Sequence, residues 1–159
     1  LKEKIKTLNF KYHTKGNHKY SDIAADLLPH ALSFYATITN REIKNCKIIK
    51  INKSKFYWNC KIYLNDVYCF FDFKQNSSKN ESQLSFKIND MKFKREQIKI
   101  LNNFETYLFI DNKNKIKIAN PMSHYLNKIF RESNNKRFIE KNNKMIEQTV
   151  CFSNFLINK

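Results

Sequence analysis

Four histidines, His13, His18, His30 and His124, are the side chains of this 159-residue sequence that ordinarily titrate near neutrality, so acid–base work at pH 7 begins with them. His13 and His18 stand in KYHTKGNHKY among Lys11, Lys15 and Lys19, beside Tyr12 and Tyr20. A base, an acid and clustered ammonium groups are what cleavage of RNA through its 2′-hydroxyl requires. His13 and His18 are therefore the candidate catalytic pair for that chemistry. His30, directly after Pro29, and His124, at a helix start, read as structural.

A second candidate ends an aromatic run. Asp72-Phe73-Lys74 resembles the (D/E)-x-K half of the PD-(D/E)xK nucleases. The resemblance implies a metal, commonly Mg²⁺, on the carboxylates and a water positioned by Lys74. The pattern also needs an earlier acid nearby. The nearest, Asp66, falls in a predicted turn roughly 20 Å along the strand, and Asp26 on a predicted helix is the alternative donor. No serine or cysteine nucleophile has a local signature. With Gly16 the only glycine, no glycine-rich loop can cradle a nucleotide phosphate. A binding role is thus favoured over an enzyme, a nuclease being the enzyme these residues suggest, and neither a cofactor nor a bound metal is expected.

The composition supplies the elements that hold such groups. The length suits one domain with a real core, and 42% hydrophobic with 14% aromatic residues argues against disorder. The net charge of +16 points toward a polyanion. Only four basic residues are arginine (Arg41, Arg95, Arg131 and Arg137), so the charge supplies point attraction rather than bidentate reading of bases. Cys46, Cys60, Cys69 and Cys151 form no C-x-x-C pair and read as reduced thiols, favouring a cytoplasmic compartment. No run of the chain is long and apolar enough for a membrane span, and its first twenty residues lack the apolar core of a signal peptide, which leaves export open if a leader has been removed. The chain begins at Leu rather than Met, which suggests an excised piece.

Residues 1–20 read as a basic arm and 21–159 as a single α+β domain. Ile23, Leu27, Ala31, Phe34 and Ile38 recur at helical spacing, with Ser21 as N-cap and Pro29 either kinking that helix or starting a second. The period then becomes two. Asn65-Asp66 and Asn89-Asp90 read as tight hairpin turns, and a third hairpin spans Tyr107 to Ala119. EIKNCKIIKIN, Glu42 to Asn52, reads as a further strand, and KQNSSKNESQ as a mobile loop. Asn120-Pro121 starts a helix, and Arg137 to about Thr149 reads as another. The expected architecture is an N-terminal helix, an antiparallel sheet of about three hairpins, and C-terminal helices packed on one sheet face.

The Asn65-Asp66 turn fixes which residues share a face. Trp58, Cys60, Ile62, Leu64, Val67, Cys69, Phe71 and Phe73 fall on an apolar side. Tyr57, Asn59, Lys61, Tyr63, Tyr68, Phe70, Asp72 and Lys74 fall on the other. Aromatic rings among lysines suit stacked bases and phosphates. The expected function is therefore a nucleic-acid-binding domain of low sequence specificity, for RNA or single strands. Tyr57, Lys61, Tyr63, Tyr68, Phe70 and Lys74 form its surface, and Lys11, Lys15 and Lys19 assist. The alternatives are an interaction module (an immunity, inhibitor or secretion-system component) meeting an acidic protein partner, and a toxin-type ribonuclease.

Overall fold

A computed structural model describes residues 4–75, 83–101, 103–118 and 121–159, and the side chains of these except 100, 103 and 121–125. The loop read as mobile lies largely outside these residues, as do Asn120 and the side chain of His124. The elements run β1 (Thr7–His13), α1 (Ser21–Thr39), β2 (Cys46–Ser54), β3 (Tyr57–Leu64), β4 (Val67–Lys74) and β5 (Gln83–Ile88). They continue with β6 (Met91–Ile100), β7 (Asn103–Ile110), β8 (Asn114–Ile118), α2 (Pro121–Glu132) and α3 (Lys136–Ile157).

The eight strands form one mixed sheet in the order β2-β3-β4-β1-β5-β6-β7-β8. This corrects the expected architecture. A strand precedes the helix, the sheet has eight strands rather than about three hairpins, and it is not purely antiparallel. β1 lies parallel to β4 and antiparallel to β5, so Thr7–His13, within the segment read as a basic arm, is a central strand. Its alternation explains this place: Leu8 and Phe10 are buried while Asn9 and Lys11 point to the opposite face. β1 and β2 run in the same direction, and such a connection needs a crossover, which α1 supplies.

The β3–β4 hairpin has the register its turn dictates, with Leu64 opposite Val67, Tyr63 opposite Tyr68 and Cys60 opposite Phe71. Trp58, Cys60, Ile62, Leu64, Val67, Cys69, Phe71 and Phe73 are all buried under α1. The Trp58 and Phe73 rings stack at 5.7 Å, and Phe10 meets Phe71 and Phe73 edge-on. Removing one such ring costs about 3–5 kcal/mol.

α1 is continuous through Pro29, which takes a backbone donor from the Ala25 carbonyl without ending the helix. Its N-cap is Tyr20, at φ 52° and with no side-chain cap, rather than Ser21. α3 packs on α1 and runs through the last segment, Val150 to Ile157, with Leu156 reaching the core. Among the described residues no helix is long and apolar enough to cross a membrane.

Candidate functional site at the strand ends

β1 and β4, the parallel pair, end side by side at His13 and Lys74. Ligands of sheets with parallel strands tend to sit outside such carboxyl ends. Two groups of polar side chains meet there, one on each face of the sheet.

On the helix side, Gln75 follows directly from β4 and is fully buried. Its Nε2 donates to Asp26 Oδ2 at 2.7 Å and its Oε1 accepts from the His18 backbone N–H at 2.9 Å. Gly16 lies against this amide: a Cβ there would stand 2.0 Å from Oε1, so the loop passes only because the residue is glycine. Asp26 and His30 are four residues apart on α1 and both exposed, hence neighbours on one helix face. The His30 ring packs edge-on to Tyr12 at 5.8 Å. A carboxylate held by a buried donor and an imidazole one turn away can take up or deliver a proton at a small-molecule oxygen.

On the open face, His13, Lys11 and Asp72 converge. Asp72 Oδ2 lies 3.5 Å from His13 Nε2 and 3.6 Å from Lys11 Nζ, with the carboxylate only 8% exposed. Burial alone would raise the Asp72 carboxyl, but His13, the Tyr57 hydroxyl and Lys11 outweigh it and hold the group below the usual range. The Tyr57 hydroxyl accepts from Asn59 Nδ2, and Asn59 Oδ1 accepts from Asn52 Nδ2. Burial raises the Tyr57 phenol.

The sequence-predicted residues separate accordingly. His13 sits on β1 facing Asp72, whereas His18 lies in the following exposed loop with Lys15 and Lys19, so no His13–His18 pair forms. Lys74 shares the face of Asp72 and stands opposite Tyr57. Asp66, the earlier acid required by the nuclease pattern, is at the far end of the hairpin and paired with Lys4 and Arg41. The aromatic platform is engaged with itself: Tyr63 and Tyr68 pack edge-on at 5.6 Å, and Lys61 Nζ lies 5.8 Å from the centre of Phe70. Asp26 entered the sequence reading only as a spare acid, and His30 as structural. Their D-x-x-x-H spacing on a helical stripe was the available signal, whereas nothing local marks Gln75 as their anchor.

No family model matches the sequence, and no match was found among curated protein sequences. Solved structures do match. The chain aligns over 98% of its length with a dehydrogenase (MviM) from Clostridium difficile, at 12% identity and a TM-score of 0.57, and spans 55% of that chain. Weaker likenesses are to the oxidoreductase yvaA from Bacillus subtilis and to UDP-N-acetylglucosamine 3-dehydrogenase GnnA from Acidithiobacillus ferrooxidans. Both are 12% identical: yvaA has a TM-score of 0.45, with 95% of this chain and 56% of that one covered, and GnnA 0.43, with 72% and 38%. The fold is thus one found in a dehydrogenase. This overturns the readings as a nucleic-acid-binding domain, an interaction module for an acidic partner, or a toxin-type ribonuclease, and the expectation that an enzyme here would be a nuclease.

Proposed function

We propose that this chain forms the substrate-handling part of a dehydrogenase-type oxidoreductase, with Asp26 and His30 managing the proton at a substrate hydroxyl or carbonyl. The observation that carries the reading is the buried Gln75 amide, which anchors Asp26 one helical turn from His30, beside the carboxyl ends of two parallel strands. The fold shared with a dehydrogenase supports it. In this reading His30 exchanges the proton of the substrate oxygen, and Asp26 accepts a hydrogen bond that orients the substrate. Edge contact with Tyr12 limits how the imidazole turns.

A dinucleotide redox cofactor does not fit the residues of this loop. The face of Gly16, where a pyrophosphate would need close backbone approach, is filled by Gln75. The role assigned to this chain is therefore confined to substrate binding and proton transfer.

The test is a titration with small hydroxyl- and carbonyl-bearing compounds, followed by backbone amide shifts. Shifts should gather on Tyr12, His18, Asp26, His30 and Gln75, and Asp26→Asn or His30→Gln should weaken binding at least tenfold. Shifts gathering instead on Tyr63 and Tyr68, or binding indifferent to both substitutions, would reject the assignment.

A further inference from the structure

We infer that the substrate handled by Asp26 and His30 carries a phosphate group, gripped by Lys15, Lys19 and Lys55 at the same edge of the sheet. This rests on the proton-handling role proposed above and adds the class of compound it serves.

Three strands that run in one direction, β1, β2 and β4, end at this edge, and each brings lysine there. Lys15 and Lys19 follow β1, Lys53 and Lys55 lie at the end of β2 and in the turn beyond it, and Lys74 closes β4. All five are exposed, and among the described residues none has a carboxylate within ion-pair reach. The acids of these segments and of the α1 start are fewer: Asp22, Asp26, and Asp72, which His13 and Lys11 already face. An edge dominated by one sign of charge concentrates ligands of the other.

Backbone bonds make this a fixed site. The loop bearing Lys15 and Lys19 is pinned at both ends: Thr14 N–H donates to the Lys74 carbonyl at 2.8 Å, and Tyr20 N–H to the Lys55 carbonyl at 3.2 Å. Between them His18 N–H donates to Gln75 Oε1, on the amide whose Nε2 holds Asp26. Lys15 and Lys19 thus flank the stretch that touches the anchor of Asp26. The loop offers no backbone cradle, because Gly16 N–H donates to Thr14 Oγ1 and Gln75 fills the glycine's open side. Ammonium groups therefore meet the anion. A phosphate ester, at about −1.5 to −2 near pH 7, gains more from several point charges than a singly charged carboxylate. None of these segments carries arginine, whose planar fork suits a carboxylate.

Calorimetric titration of the chain with glycerol 1-phosphate, glycerol and lactate tests this. The phosphate ester should bind roughly tenfold or more tightly than the other two, with an affinity that falls as salt rises. Lys15→Gln/Lys19→Gln should remove that advantage, whereas Lys115→Gln, on the far strand β8, should preserve it. Glycerol or lactate matching the ester, no saturable binding of the ester, or an equal loss in the Lys115 variant (adventitious attraction to the net charge) would overturn the inference. Ester binding that needs Lys15 and Lys19 but ignores Asp26→Asn and His30→Gln would uphold the phosphate grip and reject the proton-handling role instead. Glycerol binding through Asp26 and His30 with no gain from phosphate would reject the inference alone.

Discussion

One buried amide joins two segments before the sheet's carboxyl edge: Gln75 Nε2 donates to Asp26 Oδ2 on α1, and Gln75 Oε1 accepts from His18 N–H in the loop ahead of it. Gly16 makes room for that amide. Gly16→Ala should displace it and cost about 1–3 kcal/mol through the broken bonds. In a Gln75→Ala background the same change should cost little, since the clashing atoms are gone. Thermal denaturation of the two single variants and the double variant checks this; additive losses would mean the contact is not what matters.

Asn65 should prove to hold more than its own turn. At φ 53° it accepts from the backbone of Lys44 and Asn45 and donates to the Glu42 carbonyl and the Tyr35 hydroxyl. Asn65→Gly keeps the positive-φ turn and loses only these bonds, an expected loss of about 1–3 kcal/mol. Asn65→Ala loses them and adds about 1 kcal/mol of left-handed strain. Urea unfolding should rank the stabilities wild type, Gly, Ala; a glycine variant as stable as wild type would show the side-chain bonds to be idle.

Asp72 gives stability an acid-side dependence. Its folded-state carboxyl is held below the unfolded value of about 3.9. The sign follows: the contribution is present above that value and is lost as pH falls through the folded-state pKa. The melting temperature of wild type should fall on acidification below about pH 4, and Asp72→Asn should fall less steeply. Parallel curves would contradict a depressed Asp72.

Thiol reactivity should follow burial. All four cysteines are free. Burial pushes the Cys60 thiol far above its usual range, Cys69 up to about 12, and raises half-buried Cys46. Cys151 is exposed on α3. Alkylation followed by mass spectrometry should label Cys151 first, Cys46 slowly, and Cys60 and Cys69 only after unfolding. Early labelling of Cys60 would overturn the packing of the β3–β4 core.

How far this was legible in the sequence depends on the distance over which each element is determined. The β3–β4 hairpin was readable because Asn65-Asp66 fixes a local register, and its two faces follow from alternation alone. The place of β1 was not, because its partners β4 and β5 lie more than fifty residues away and no local rule names them. The lysines of KYHTKGNHKY also masked the Leu8–Phe10 alternation just before them. The Asp26–His30 pair was half legible: its spacing is local, but its anchor, Gln75, becomes a neighbour only when β4 returns beneath α1.

That central placement of β1 also sets an order in time. Thr7–His13 is synthesised before every other strand, yet one flank needs Val67–Lys74 and the other Gln83–Ile88. Until then the backbone groups of β1 lack their sheet partners, and Phe10 has only Phe34 of α1 to pack on, while α1 and the β3–β4 hairpin can already form from nearby residues. β1 is thus a strand held in waiting, and the middle of the sheet cannot close until residue 88 has been made.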